Sequence, residues 1–151
     1  KAIRQANQAG ILVVVVTNQP VIARGELSEV GLREIHNKLD TLLGEERAYI
    51  DGLYYCPHHP DGGYDGEIAE LKVECDCRKP KPGLLLQAAE EFELNLSRSY
   101  LVGDRWKDID AGNTAGCRTI FLDYDYDEKL RSPPNHVIGS IHEVAGLICS
   151  R

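Results

Sequence analysis

Short unbroken apolar runs alternate along the chain with longer stretches in which apolar residues recur every three or four positions. Residues 1–9 place Ala2, Ile3, Ala6 and Ala9 on one stripe and predict a helix stopped by Gly10. Residues 11–16 are a valine-rich run of six, the length of a parallel strand buried on both faces. A loop is expected over 20–25. Ser28 then caps a helix whose broad face carries Leu32, Ile35, His36, Leu39, Leu42 and Leu43. A short aromatic strand is predicted at 50–55. A long segment with glycines at 62, 63 and 66 follows over 57–80, longer than most loops of compact domains. Pro82 suits the first turn of a helix carrying Leu84, Leu85, Ala88, Ala89 and Phe92. Strands at 99–102 and 118–122 flank a helix at 107–115 that Gly116 ends. Charged residues and Pro133-Pro134 make 123–135 a loop, before a last strand at 136–139 and a helix at 141–148. This alternation predicts an α/β fold: a three-layer, Rossmann-like domain with a mostly parallel sheet.

At 151 residues the chain is expected to form a single domain, residues 1–151, with enough apolar content (42%) for a real core. The formal charge of −7 argues against non-specific binding to nucleic acid or to a membrane surface. It leaves room for a small phosphorylated metabolite in a local basic pocket. No run reaches the length of a membrane helix, and no secretion signal is visible. Nothing suggests an obligate protein partner. The five cysteines fit a reducing cytoplasm better than a disulfide framework.

Four residues give the strongest chemical signal. Cys56-x-His58 and Cys75-x-Cys77 bracket a loop over 56–77, and three thiolates with one imidazole make a tetrahedral set suited to Zn²⁺. Four protein ligands leave no open position, so the site reads as structural. His59 competes with His58 for the role and is expected to face solvent. Cys117 is expected to be a buried thiol.

Other candidates lie where predicted strands end, the edge at which open α/β sheets bind ligands. Thr17, Asn18 and Gln19 follow the first strand, as phosphate donors or as a polar turn. Asp104 and Asp108 follow the third, as Mg²⁺ ligands, direct or through water, or as ordinary acids at a helix N-terminus. Arg78, Lys79 and Lys81 form a basic turn just past the last cysteine, with the reach and charge for phosphate. Arg24 and Arg105 stand near the same edge.

Together, Thr17-Asn18-Gln19, the Cys-x-His and Cys-x-Cys pairs, Arg78-Lys79-Pro80 and Gly103-Asp104 with Lys107-Asp108 resemble the haloacid dehalogenase superfamily. More narrowly, they are similar to its D-glycero-D-manno-heptose 1,7-bisphosphate phosphatases and histidinol-phosphate phosphatases. The resemblance covers roughly residues 1–122. It implies catalytic roles for Thr17, which would hydrogen-bond the transferring phosphoryl group, Lys79, which would offset charge, and Asp104, a Mg²⁺ ligand supported by Asp108. It implies a substrate contact from Arg78 and zinc ligation by Cys56, His58, Cys75 and Cys77; Asn18, Gln19, Arg24, Lys81 and Arg105 are the further candidates for substrate contact.

The chain departs from this pattern in two places. The first superfamily motif, D-x-D-x-T/V, which carries the nucleophilic aspartate on the central strand, does not precede the first helix. The expectation is an N-terminally incomplete phosphatase domain that lacks the central strand and is inactive by itself. Pro20-Val21 also stands where this branch has Ser-Gly. The activity implied for the complete enzyme is Mg²⁺-dependent release of the 7-phosphate through an aspartyl-phosphate. The alternatives are a phosphatase for histidinol phosphate or another small phosphomonoester, and an inactive zinc-stabilised binding domain.

Overall fold

In the computed structural model, which describes residues 1–149, the apolar runs become parallel strands. The elements are α1 (Ala2–Gln8), β1 (Val14–Asn18), α2 (Pro20–Ala23), α3 (Glu29–Glu45), β2 (Gly52–Cys56), α4 (Gly83–Glu91), β3 (Tyr100–Gly103), α5 (Trp106–Ala115), β4 (Arg118–Leu122), β5 (His136–Ile138) and α6 (Val144–Ile148). β1 pairs with β2 in parallel, and the register sets Asn18 beside Cys56. β3, β4 and β5 form a second parallel sheet in that order, with Gly103 beside Phe121 and Leu122 beside Ile138.

The two sheets share a core without hydrogen-bonding to each other. Val16 of β1 packs into the same apolar cluster as Leu101 of β3, with Leu85 of α4, Ala111 of α5 and Cys117. The neighbours of Leu101 turn the other way: Tyr100 and Val102 pack on Ile120, Leu122, Ile138 and α6. This two-residue alternation puts helices on both faces of the second sheet and gives the three layers expected of an α/β fold. A sheet split between β1 and β3 is consistent with the expected absence of a central strand.

Local chemistry sets the element ends. Ser28 Oγ accepts from the Gly31 amide and caps α3. Gly116 adopts φ +81 and closes α5, which turns the Cys117 amide back onto the Gly112 carbonyl at 2.9 Å. Cys117 is buried, as expected of it.

Several predicted boundaries shift, each for a local reason. β1 begins at Val14 rather than residue 11, because the Ile11 amide bonds to Ala6 and finishes α1, while the Val13 amide is taken by Asp51 Oδ2. Residues 20–23, expected as loop, form the single turn α2, with Pro20 at a first-turn position where its missing N–H is harmless. The last helix opens as a 3₁₀ turn over Ile141–Glu143 before α6. α3 departs furthest from its pattern. Leu32 is buried, but Ile35 and Leu42 remain 54% and 46% exposed. Helical spacing aligns an apolar stripe; burying it takes another element lying over it.

The two apolar clusters are expected to dominate stability. Outside both clusters, Ile109 of α5 also has no exposed surface, and Ile109→Ala should lower the unfolding free energy by about 2–5 kcal/mol in urea titration. A loss well below that would mean that α5 is not packed as described.

Candidate functional site

Lys79 lies where the two sheets meet. Its amide donates to Asn18 Oδ1 at 3.0 Å, and its carbonyl accepts from Asn18 Nδ2 at 3.1 Å. One side-chain amide at the end of β1 thus holds both polar groups of the Lys79 backbone. The ammonium donates to the Val16 carbonyl at 2.8 Å and meets Asp108 Oδ1 at 2.7 Å. With 13% and 10% of their side chains exposed, Lys79 and Asp108 form an almost buried ion pair, a kind that fails badly if one partner is removed. Two of the three ammonium protons are spoken for, which leaves one for a ligand.

Asp108 serves two purposes at once. Its Oδ2 accepts from the Arg105 amide at 3.1 Å and caps α5, while Oδ1 faces Lys79. Gly103 makes this possible, because a Cβ there would come within 2.3 Å of Asp108 Cβ. The Asp104 carboxylate, four residues earlier, has no protein partner among the described residues. Thr17, Asn18, Lys79, Asp104 and Asp108 line a cleft of about 280 Å³ with Arg105, Trp106, Lys107 and Glu128.

The cysteine–histidine set converges as its spacing predicts. Cys56 Sγ lies 3.5 Å from Cys75 Sγ and 3.6 Å from His58 Nδ1; Cys77 Sγ lies 3.4 Å from Cys75 Sγ and 3.3 Å from His58 Nδ1. All four donor atoms fall within 4.8 Å of one another. Tetrahedral bonds of about 2.3 Å to sulfur and about 2.0 Å to nitrogen would separate the donors by roughly 3.5–3.8 Å. The set therefore fits a single soft metal ion. Burial pushes the Cys56 and Cys77 thiols up from their ordinary range.

The other expected residues disperse. Gln19 donates to Thr17 Oγ1 at 3.2 Å instead of lining the cleft. Arg24 turns away to the metal loop, where its guanidinium lies 4.7 Å from the Tyr64 ring and 3.3 Å from His59 Nε2. His59, expected in solvent, is buried at 7% exposure beneath that arginine, and the Asp61 amide donates to its Nδ1. Arg78 donates to the His58 carbonyl at 3.1 Å and ties the basic turn to the metal loop. Lys81 stands outside near Glu74 and Asp76. Sequence reasoning missed Trp106 and Glu128. Trp106 directly follows Asp104-Arg105, a signal that was available; Glu128 comes from a charged loop and has no such signal.

The chain has relatives among known proteins. A family model described as HAD-hydrolase-like matches residues 76–144. The D-glycero-beta-D-manno-heptose-1,7-bisphosphate 7-phosphatase of Pasteurella multocida is 38% identical, over 98% of this chain and 79% of its own length. The Escherichia coli protein of that name is 40% identical over 80% of this chain and 61% of its own. The chain thus spans less than two thirds of the Escherichia coli relative, and 65% of the one from Haemophilus ducreyi. Among solved structures, the D,D-heptose 1,7-bisphosphate phosphatase of B. bronchiseptica, complexed with magnesium and phosphate, superimposes with a TM-score of 0.81 at 29% identity. That match covers 97% of this chain and 79% of the other.

Asn18 is the residue on which this arrangement turns. Asn18→Ala would strip both backbone groups of Lys79 of their partner, so it should cost about 1–3 kcal/mol of stability in chemical denaturation. A neutral outcome would mean that the basic turn is held by other contacts.

Proposed function

The chain belongs to the haloacid dehalogenase-like hydrolases, in the family of the heptose 1,7-bisphosphate 7-phosphatases, and from that premise we propose that it forms most of a magnesium-dependent phosphomonoesterase acting on a sugar bisphosphate. The observation that carries the reading is the convergence of Thr17, Lys79 and Asp104, from three separate elements, on one cleft. Thr17 Oγ1 accepts from Gln19, which leaves its own proton for a phosphoryl oxygen. Lys79 presents its remaining N–H beside it, and Arg105 adds a second cation at the cleft wall. These groups suit phosphoryl transfer, which depends on positioning and on stabilising charge over the equatorial oxygens.

Asp104, free of protein partners among the described residues, is the residue that would hold Mg²⁺, with Asp108 as support through the helix cap rather than as a ligand. The metal would supply charge stabilisation for the transferring group. The nucleophilic aspartate of this reading stands outside these residues, on a strand that would fill the split between β1 and β3. Asp123 and Asp125 follow β4 but do not line the cleft.

Cys56, His58, Cys75 and Cys77 are proposed to hold Zn²⁺ as a structural ion. Ligation requires the thiols to lose their protons, so affinity falls as pH drops. The working compartment is proposed to be the reducing cytoplasm. No described helix is long and apolar enough to cross a membrane.

Two measurements test the reading. Full-length protein should release phosphate from heptose bisphosphate faster than from histidinol phosphate, and Lys79→Ala should lower that rate by about 10²-fold or more. Equal rates on both substrates would refute the substrate assignment. Purified protein should carry close to one zinc per chain, lost on Cys→Ser change at any of the three cysteines; retention in all three variants would refute the zinc site.

A further inference from the structure

The segment between β4 and β5 lies over the lip of the cleft. Its later part is anchored just past Glu128. Arg131 lies 3.4 Å over the Trp106 ring, Ser132 Oγ donates to Asp110, and Asn113 Nδ2 donates to the Pro133 carbonyl at 3.1 Å. These contacts hold the later part of the segment without Glu128. Its carboxylate nevertheless faces the cleft, with Oε2 2.7 Å from Arg105 Nε. The contact is charge against charge and is not aligned as a hydrogen bond. The Arg105 guanidinium also lies 4.9 Å from the Tyr126 ring, on the same segment.

The charge balance of the cleft gives this contact meaning. Three cations line it, Lys79, Arg105 and Lys107, and so do three carboxylates, Asp104, Asp108 and Glu128. Asp108 is committed to Lys79 and the helix cap, and Asp104 is free. Lys107 lies 5.5 Å from the Trp106 ring, and Glu128 occupies Arg105, the half-exposed cation of the wall. Arg105 is half exposed although Glu128 is only 22% exposed, so this pair is open to an entering anion from the arginine side, unlike the pair of Lys79 with Asp108, which is buried on both sides.

We propose that Glu128 is an internal counter-anion that holds Arg105 until a phosphate group of the ligand displaces it, and so sets the affinity of the cleft for phosphoryl compounds. This rests on the phosphatase reading and adds to it a positioning residue. An arginine already pointed at the cleft by a weak carboxylate partner is ordered before the ligand arrives, and removal of that partner trades order for attraction.

Titration calorimetry of full-length protein with inorganic phosphate in the presence of Mg²⁺ tests it. Glu128→Gln keeps the shape and removes the charge. It should bind phosphate about three- to tenfold more tightly, with the gap narrowing as salt is raised and the melting temperature nearly unchanged. In an Arg105→Gln background the same change should give little gain. Equal affinities for wild type and Glu128→Gln, or a gain of the same size without Arg105, would overturn the inference and leave the phosphatase reading intact. Absence of phosphate binding in both proteins would overturn the two together.

Discussion

A buried ammonium joins the two sheets. Lys79 takes one contact from the β1 backbone at Val16, two from the Asn18 amide and one from Asp108 at the head of α5. No strand-to-strand hydrogen bond crosses between β1 and β3. Polar registration across that boundary therefore falls largely to this residue, while Val16 and Leu101 supply apolar contact beneath it. A lysine so enclosed is stable only while its carboxylate partner stays in place, and Asp108 stays because the α5 cap and the bare Cα of Gly103 fix its position. The same constraints that hold the fold at this point aim a cation into the cleft.

The metal loop reaches that cleft through its ends. Cys56 closes β2 beside Asn18, and Cys77 immediately precedes Arg78 and Lys79. Between them the loop has only one short 3₁₀ turn, Ala69–Leu71. It is tied down by the His59 amide on the Leu71 carbonyl, by the Ile68 amide on the Ala23 carbonyl, and by Arg24 between His59 and Tyr64. One soft cation drawn to Cys56, His58, Cys75 and Cys77 would fasten both ends where Lys79 must stand. Burial pushes the Cys56 and Cys77 thiols toward their neutral forms, so a cation must displace their protons to bind and is held less tightly as pH falls.

Much of this was legible in the residues. Strand and helix order, the four-donor cluster and the strand-end positions of Thr17 and Asp104 follow from period, spacing and element ends, which are local properties. What failed was non-local. The stripe on α3 looked buried because periodicity reports a face and not what lies against it. His59 looked exposed because its cover, Arg24 with Tyr64, comes from sequence positions on either side that only the folded loop brings together. Arg24, Arg78 and Lys81 shared one charge and one neighbourhood, yet each found a different partner. Charge draws a residue to a region, and the geometry of available acceptors decides its direction.

The two acids at the β3–α5 junction show how a single feature can satisfy two readings that looked exclusive. A carboxylate there could be a helix-capping residue or a pocket residue. Asp108 is both: one oxygen takes the Arg105 amide and the other faces the lysine, so both oxygens are already engaged by the protein. Asp104 precedes the helix, has no amide to cap and has no cation bound to it by the protein. Its carboxylate therefore has no direct partner among the described residues, in a cleft whose walls already hold the Lys79–Asp108 pair. A free carboxylate beside a lysine whose charge is matched attracts a cation more strongly than one beside an unmatched lysine. The Lys79–Asp108 pair thus does more than support the backbone: by neutralising the lysine it leaves Asp104 available to a metal ion, and that ion, once held, would restore the positive field a phosphate requires.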